Sequence, residues 1–572
     1  MSSSLRNYFS RLKSTSTQAS ALGAYVMSYG DRLETFRELT VADLAPHHVS
    51  FDSSLHRRAK DSQPDISAFL YAALRLPECI NRVERVLIAP DEEVFAGAGY
   101  PGVSTWRGVE SRARRRRYHY DGGTILAVFV HSISDLDDLV PTLCAFQVEW
   151  NKMHGLLHQS SLGKALARGD TVASLAGEQI RRALHLGRAD WDLLQRVWPD
   201  DWDFKFAGLA AAPLSFTIQR LPLDVRYFDE AAARWWDDVA ARFGINADED
   251  RPIYIVSSNN HGLANLISGF AAQRERQIVD FLHEHNPEGL RRNWADDRRD
   301  PDRNSTDLLY YALRHYLDQV PAAAVEKLEN EEAAGLTRYC PDTYPRIEAQ
   351  KIELNRLSAS RIDPLLNLPP ALAQSRTWVI NLEYPLGLAA KHLLSRACAR
   401  FKGLRGVFIL GKSAAVVGRL GDIMVPAQVH DGHTGNRYHF HNTISIRRIT
   451  PYLRRIGAFD DQRCITVRGT FLHGRETLKT LIRDDFTGIE MEVGPYIGAL
   501  YKHFTKTDPP FNSDLDLPLP RRFSLGVLLY TSDTPYNIRP SLLSTRLGLT
   551  GLEAAYAASR AILQRIFDLE RR

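Results

Sequence analysis

The spacing of apolar and polar positions changes near residue 250 and predicts two kinds of architecture. Before that point, apolar residues recur mainly at helical spacing, as in 69–74, with one clear buried strand at 124–130. After it, short apolar runs alternate with amphipathic segments, which is typical of an α/β sheet with helices on both faces. We therefore predict a mostly helical α+β domain over residues 31–245 and an α/β domain with a mixed sheet over residues 251–572.

Short apolar runs that end in polar or glycine-containing turns mark the strands of the second domain. The predicted strands cover residues 252–256, 378–382, 406–410, 421–426 and 525–530, with a further strand that ends at Glu490. The predicted helices cover residues 263–285, 388–401, 493–504 and 552–569. The charged and helical stretch 286–375 has proline-rich edges, so we predict a helical insertion or lid outside the sheet.

Two predicted strand ends carry acidic side chains. The strand that ends at Glu490 continues through Met491 and Glu492 into a helix, and the last strand ends in Ser532 and Asp533. Buried carboxylates are costly unless they bind something polar, and ligands bind at the carboxyl ends of strands in open α/β sheets. These acids therefore predict a pocket that holds hydroxyl groups at one strand end and delivers a proton from the other.

The N-terminal half offers one basic cluster and no catalytic constellation. Arginines occupy position 112 and positions 114–117. Such a cluster either docks a phosphate group, which guanidinium groups bind in a bidentate manner, or pairs with nearby acids on a solvated face. Both interpretations stay open at this point. The next helix is predicted to begin at Ser134 as its cap, with three aspartates in its first turn.

Composition and charge narrow the class of protein. The 572 residues are 44% hydrophobic, and 72 basic against 68 acidic residues give a net charge of +4, so we expect no nucleic-acid partner. No apolar run reaches the roughly 18 residues of a membrane helix, so we expect no membrane partner and a cytoplasmic protein. Five dispersed cysteines without a CxxC pair indicate a reducing compartment and no metal site. We predict a basic flexible leader at residues 1–30 and no cofactor.

The order of motifs in residues 376–572 resembles the nucleoside phosphorylase and nucleosidase superfamily. The motifs are Gly411-Lys-Ser-Ala-Ala415, Leu420-Gly-Asp-Ile-Met-Val-Pro426, Ile489-Glu-Met-Glu492 and Thr531-Ser-Asp533, followed by the final helix. The segment Arg468-Gly-Thr-Phe-Leu-His473 lies where that family has its base-stacking segment. Each motif alone occurs by chance, whereas five in this order are specific. The Ser-Asp motif with the long loop and helix after it is most similar to AMP nucleosidase.

The resemblance implies an enzyme that breaks the N-glycosidic bond of a purine nucleotide or nucleoside. It implies that Glu492 accepts hydrogen bonds from ribose hydroxyls, and that Asp533, kept protonated by burial, is the general acid to the purine base. The further substrate contacts that it implies are Glu490, Met491, Gly411, Lys412, Ser413, Phe471, His473 and Ser532. Lys412 is the candidate contact for a 5′-phosphate. The resemblance also implies a homo-oligomer.

One position favours hydrolysis over phosphorolysis. Phosphorylases of the hexameric branch place an arginine two residues before the glycine of the Gly-Ser turn, where this chain has Ile409, which cannot hold an anion. We therefore predict a hydrolase, with Glu383 as the candidate for activating water, because the first turn, 257–262, has no acid. Two alternatives stay open: a phosphorylase that holds phosphate with Arg437 or Arg475, and a non-catalytic nucleotide-sensing protein on the same scaffold.

Overall fold

A computed structural model describes residues 17–168, 176–198, 202–224, 226–246, 250–299, 305–341, 345–535 and 547–571. The chain divides into two compact units. The first unit consists of Met1–Phe228, Arg468–Arg483 and Pro535–Leu543, and the second of Asp229–Val467, Asp484–Thr534 and Ser544–Arg572. Residues 1–16 of the predicted leader lie outside the described residues, and the remainder of the leader belongs to the first helix.

Helices and strands are numbered along the chain. The α-helices are α1 Thr17–Glu34, α2 Val41–Phe51, α3 Ile66–Ala73, α4 Glu92–Gly97, α5 Ile133–His158, α6 Ser161–Ala167, α7 Ala176–Ala183, α8 Arg188–Val197, α9 Trp202–Ala211, α10 Tyr227–Phe243, α11 Gly262–Ser268, α12 Phe270–Gln273, α13 Glu275–His285, α14 Leu290–Arg299, α15 Ser305–Gln319, α16 Pro321–Ala333, α17 Leu388–Arg400, α18 Ile446–Ile449, α19 Arg475–Arg483, α20 Val493–Thr505 and α21 Leu547–Glu570.

The strands are β1 Leu39–Thr40, β2 Arg85–Ala89, β3 Arg107–Val109, β4 Tyr118–Tyr120, β5 Ile125–Phe129, β6 Thr217–Arg220, β7 Ile253–Ser258, β8 Leu336–Tyr339, β9 Ala349–Glu353, β10 Trp378–Glu383, β11 Leu404–Ala415, β12 Ile423–Asp431, β13 Asn436–His439, β14 Ala458–Thr466, β15 Phe486–Glu490, β16 Asp514–Asp516 and β17 Ser524–Asp533. Among the described residues, no helix is both long enough and apolar enough to cross a membrane.

The first unit contains a mixed six-stranded sheet in the order β1-β6-β2-β5-β4-β3. The strand predicted at 124–130 is confirmed as β5. Helix α5 begins two residues earlier than predicted, so the prediction of Ser134 as its cap was wrong. The Asp135 carboxylate accepts hydrogen bonds from the backbone N–H groups of His131 (2.7 Å) and Ser132 (3.2 Å), which places the cap at Ser132.

The arginine cluster of the first unit pairs with acids. Arg114 donates to Asp138 at 2.6 and 2.8 Å, and Arg116 donates to Asp135 at 2.8 Å. Burial raises the pKa of Asp138, but the guanidinium groups of Arg114 and Arg116 outweigh burial and hold that pKa well below its usual range. Arg117 pairs with Glu92. Arg114, Arg116 and Arg117 therefore pair with acids, as one of the two interpretations predicts, but Arg116 does so in the interior rather than on a solvated face.

The second unit is an α/β fold with helices on both faces of its sheet, as predicted. The sheet runs β16-β13-β12-β14-β15-β11-β7-β10-β9-β8, and β17 pairs with both β11 and β12. Strands β7, β10, β11 and β17 are parallel, so their carboxyl ends share one edge. The pairings β11-β17-β12-β14-β15-β11 close a ring of five strands. Helices α11, α15 and α21 contribute to the core on one face, and α10, α17 and α20 to the core on the other.

Three local predictions in this unit were wrong. The predicted helix 263–285 is broken at Gly269, which has a φ of 67° and a neighbouring carbonyl of Arg361 where a Cβ would lie. The stretch predicted as an insertion outside the sheet ends in β8 and β9, which pair in sequence onto β10. The turn predicted at 411–415 is the second half of β11, because β17 and β15 pair with it there.

Candidate functional site

The acid-bearing strand ends predicted from the sequence converge at the end of β11. Ala414 pairs with Ile489 of β15 on one side and with Asp533 of β17 on the other. Because paired strands lie about 4.8 Å apart, the backbones at Asp533 and Ile489 are roughly 10 Å apart. Glu490 follows Ile489 directly, so the structure brings Asp533 and the Glu490–Glu492 segment to one place on the sheet.

A β-bulge precedes Asp533. Thr531 lies opposite Ser413, and Asp533 lies opposite the next residue, Ala414, so Ser532 is the extra residue. Bulges bend a strand, and in many proteins they turn a side chain beside an active site. Ser532 and Asp533 are both half-buried. The bulge therefore lies immediately before Asp533, at the end of β17.

Glu490 is buried and caps helix α20. Its carboxylate accepts hydrogen bonds from the backbone N–H groups of Glu492 (2.6 Å) and Val493 (2.7 Å) and from the Thr466 hydroxyl, which itself accepts one from Gly494 N (2.8 Å). Burial and the neighbouring Glu492 raise the pKa of Glu490 to about 8, against the effect of these donors. The hydrogen-bonding capacity of Glu490 is thus used within the fold, at the start of α20.

Glu492 is half-buried and precedes helix α20, next to the buried Met491. Its charge acts on two tyrosines, Tyr496 and Tyr384. Tyr496 is one helical turn further along α20, and its N–H donates to the Glu492 carbonyl at 3.3 Å. Tyr384 follows the end of β10. The charge of Glu492 adds to the effect of burial on the pKa of both tyrosines, which raises the pKa of Tyr384 to about 12.

The turn after β10 carries Glu383 and Tyr384 in an unusual conformation. Tyr384 has a φ of 34°, a left-handed value that a side chain disfavours, and Gly387 has a φ of 54°. Glu383 is half-buried, and its Cα pairs with that of Ser258 at the end of β7. Its N–H donates to the Glu348 carbonyl at 3.0 Å. The structure thus places Glu383 at the shared strand edge.

A buried amide network fixes the two strand ends beside Glu383. Asn381 accepts a hydrogen bond from the Ser258 hydroxyl at 2.8 Å and donates to the Asn259 carbonyl and to the Gln350 side chain, both at 3.1 Å. The Asn259 side chain in turn accepts from the N–H of His261 at 3.1 Å. The side chains of Ser258, Asn381 and Gln350 thus form one connected hydrogen-bond network at this edge.

The predicted substrate contacts at 411–413 lie on β11, which directs neighbouring side chains to opposite faces. Side chains alternate between the faces of a strand, and here Lys412 is exposed whereas Ser413 is buried. A Cβ on Gly488 would lie 2.5 Å from the Ser413 hydroxyl and 2.9 Å from the Met424 sulfur, so Ser413 points into the five-strand ring. Gly411 lies opposite Leu529 of β17. Of these three residues, Lys412 is the one that the strand turns outward.

Phe471 and His473 belong to the first unit and are buried there. The Phe471 ring packs edge-on against Tyr71, with ring centroids 5.5 Å apart. The His473 ring forms a 2.7 Å hydrogen bond with the Ser54 hydroxyl, and burial lowers the pKa of His473 to about 4. Both rings therefore have packing roles within the first unit.

Sequence reasoning missed Thr466, Tyr384 and Tyr496. Thr466 ends β14 and pairs with Glu490 at the end of the neighbouring strand β15, a relation that only the sheet register shows. Tyr496 could have been found from the sequence, because it lies four residues after Glu492 at the start of a helix and so shares its face.

Among the described residues, no group of three or more histidine, cysteine, aspartate or glutamate side chains could hold a metal ion.

Comparison with known proteins gives one family and several weak structural similarities. Residues 41–568 match the family described as "Family of unknown function (DUF6909)", and the chain belongs to that family. No curated protein matches the sequence.

Similar solved structures include nucleosidases and a phosphorylase. One is an S-adenosylhomocysteine nucleosidase from Streptococcus pyogenes, 10% identical over 56% of this chain and 99% of that chain, with a TM-score of 0.30. Another is a 5′-methylthioadenosine/S-adenosylhomocysteine nucleosidase from Neisseria meningitidis, 12% identical over 42% of this chain and 94% of that chain, with a TM-score of 0.29. A methylthioadenosine phosphorylase from an antarctic soil metagenomic library is 10% identical over 33% of this chain and 70% of that chain, with a TM-score of 0.25. Such low scores assign no substrate or reaction to this chain.

Proposed function

We propose that this member of the DUF6909 family hydrolyses the N-glycosidic bond of a purine nucleoside or nucleotide in its second unit. The observation that carries the proposal is the pairing of Ala414 with Ile489 and with Asp533. This pairing brings Asp533 close to the Glu490–Glu492 segment, which follows Ile489 directly. Glu492 accepts hydrogen bonds from the ribose hydroxyls, and Asp533 protonates the departing base. Loss of a neutral base is easier than loss of its anion, so a positioned acid accelerates this bond cleavage.

The remaining roles follow from position along the same edge. Glu383, at the end of β10, is the candidate base for the attacking water. Met491 and Ser532 adjoin Glu492 and Asp533 and line the site. The exposed Lys412 on β11 is the candidate contact for a 5′-phosphate, which a nucleotide such as AMP carries.

Two observations support water rather than phosphate as the nucleophile. Ile409, at the position of the phosphorylase arginine, is 2% exposed in the core of the second unit. Two other arginines could hold phosphate in place of the missing one, and both already have acidic partners. Arg437 pairs with Asp514 at 2.8 Å, and Arg475 pairs with Asp52 at 2.8 Å. Orthophosphate would have to compete with these carboxylates for the two guanidinium groups.

The test is a product assay with the full-length protein. AMP, adenosine and inosine are each incubated with and without orthophosphate, and free base and sugar product are measured. We expect free base and a reducing sugar without phosphate, at a rate that phosphate does not change. Base release that requires phosphate, with a sugar 1-phosphate as the product, would establish the phosphorylase instead. Nucleotide binding without base release in any mixture would favour the sensing protein.

A further inference from the structure

One arginine of the first unit is buried without a hydrogen-bond or ion-pair partner. Arg220 is the last residue of β6 and is 5% exposed. Ile218, two residues earlier and therefore on the same face of the strand, is fully buried. Among the described residues, no hydrogen bond or ion pair joins the Arg220 guanidinium to another group. Arg220 thus places a charge at a position where the strand pattern favours an apolar side chain.

Two other arginines of the first unit are as deeply buried, and both pair with acids. Arg116 and Arg468 each donate to an aspartate at 2.8 Å. Burial lowers the pKa of Arg220, and the negative charge of Glu34 opposes this shift only in part. A buried charge that is not paired is strongly destabilising, so its presence calls for a physical explanation.

Arg220 lines a small cavity at one edge of the first sheet. Strands β2, β5 and β6 are parallel, so their carboxyl ends share an edge, and ligands bind at that edge in open α/β sheets. The cavity lies between the end of β6, helix α1 and the start of α5. The N-terminus of α5, a helix of 26 residues, carries a partial positive charge. The guanidinium and the helix terminus therefore both favour a negatively charged occupant.

Two acids also line the cavity and limit the charge and size of its occupant. Asp137 has both oxygens engaged, because Tyr29 donates to one at 2.6 Å and Arg468 to the other at 2.8 Å. The negative charge of Glu34 acts on Arg220, and it would repel a doubly charged phosphate more than a singly charged carboxylate. The cavity is about 10 Å³, so it admits a small group and excludes a sugar or a base.

Phe36 adopts a strained backbone conformation beside the guanidinium. Its φ of 57° is left-handed, which a bulky side chain disfavours and glycine adopts without penalty. The centre of its ring lies 5.6 Å from the Arg220 guanidinium carbon, within the range of a cation–π interaction. Strained residues cluster at binding sites, where the surrounding structure determines their conformation. The ring supports the guanidinium on one side and leaves its charge uncompensated.

We propose that Arg220 binds the carboxylate group of a small molecule in this cavity of the first unit. The planar guanidinium matches a carboxylate and can donate to both of its oxygens. The rest of the ligand would lie outside the cavity, which is too small to enclose it. This inference concerns the first unit and does not depend on the hydrolysis proposed for the second.

The test measures thermal unfolding of the full chain in the presence of simple carboxylates. Sodium acetate and sodium formate are each compared with sodium chloride and sodium phosphate at equal ionic strength and neutral pH. We expect both carboxylates to raise the unfolding midpoint by about 2 °C or more above its value in chloride or phosphate, since a ligand that binds only the folded state stabilises it. Saturation-transfer NMR of the acetate methyl signal should detect the same binding directly.

Three variants identify the group that binds. Arg220→Met removes a buried charge, so in chloride it should unfold at or above the wild-type midpoint, and acetate should no longer shift that midpoint. Arg220→Lys keeps the charge without the two-pronged donor, so its acetate shift should be about half that of the wild type or less. Arg85→Met is the matched control on the neighbouring strand β2. Arg85 is half-exposed and pairs with Glu38 at 3.6 Å, and its variant should keep the full acetate shift.

The inference is overturned by equal midpoints in acetate and chloride, or by an acetate shift that persists in Arg220→Met. A midpoint of Arg220→Met in chloride well below that of the wild type would show that the fold itself compensates the guanidinium, and it would also overturn the inference. A shift that orthophosphate alone produces and Arg220→Met abolishes would contradict the assignment to a carboxylate. None of these results depends on whether the protein releases a base.

Discussion

At the scale of single residues, the two glutamates of the Glu490-Met491-Glu492 segment have different tasks. Glu490 is 2% exposed and accepts from Thr466 and two backbone N–H groups, so it orders the start of α20. Glu492 is half-buried, and its charge adds to the effect of burial in raising the pKa of Tyr384 and Tyr496. The sequence could indicate that both acids lie at a strand end. It could not separate their roles, because Thr466, which binds Glu490, lies 24 residues earlier in the chain.

Replacing Glu490 by glutamine should remove a pH dependence of stability. The pKa of Glu490 is raised to about 8 in the folded chain, above its ordinary value of about 4.5, so the folded state binds the extra proton between these values. Stability from this residue is therefore complete below pH ~4.5 and falls as the pH rises toward 8. We expect the free energy of unfolding in urea to decline over this window in the wild type and less steeply in Glu490→Gln.

The control for that experiment is Glu476→Gln, an exposed acid that pairs with Lys479 on α19. It should leave the slope of stability against pH unchanged. An equal slope in the wild type and Glu490→Gln would show that Glu490 does not take up the proton.

At the scale of elements, the strands that carry the site were predictable and their junctions were not. The apolar runs of β7, β10 and β17 were long enough to identify from the sequence, as was the helix α20 after the acids. The sequence predicted a glycine-containing turn where the structure has the second half of β11. This segment is a strand because it pairs with β15 and β17, which lie more than 70 residues away in sequence. Strands β8 and β9 were not predicted because they are short and partly polar. The break in the helix could have been predicted, because Gly269 is visible in the sequence.

The closed ring of five strands depends on the absence of a side chain at Gly488. A Cβ there would meet Ser413, Met424 and Cys464 at 2.5, 2.9 and 3.3 Å, inside the ring. Gly488→Ala should therefore lower the free energy of unfolding by about 1–3 kcal/mol through overpacking. Gly155→Ala in helix α5, where a Cβ meets nothing within 4 Å, should be neutral or stabilising. A Gly488→Ala protein as stable as the wild type in chemical denaturation would contradict the packing described for the ring.

At the scale of the whole molecule, the two units are built from non-consecutive stretches of chain. The change of pattern near residue 250 lies close to the division at Phe228, but nothing in the local pattern shows that Arg468–Arg483 belongs to the first unit. That segment contributes Arg468, which donates to Asp137 at 2.8 Å, with both side chains 1% exposed. Tyr29 donates to the same carboxylate at 2.6 Å.

Removal of the Arg468 guanidinium should therefore destabilise the first unit strongly. Arg468→Met leaves the Asp137 carboxylate buried without its cation, which should cost about 3–5 kcal/mol of unfolding free energy in urea denaturation. Arg475→Met removes an arginine of the same segment whose pair with Asp52 is half-exposed, and it should cost about 1 kcal/mol or less. Equal losses for the two variants would mean that Arg468–Asp137 does not hold the segment in the first unit.

The central claim is that Asp533 protonates the base at a site it shares with Glu492. The most direct measurement is the rate of free-base release from AMP and adenosine, without phosphate, by the wild type, Asp533→Asn and Asp516→Asn, the last being an exposed acid on β16. We predict base release by the wild type, a loss of about 100-fold or more in kcat for Asp533→Asn with its unfolding midpoint unchanged, and full activity for Asp516→Asn. Base release by Asp533→Asn at the wild-type rate would contradict the account.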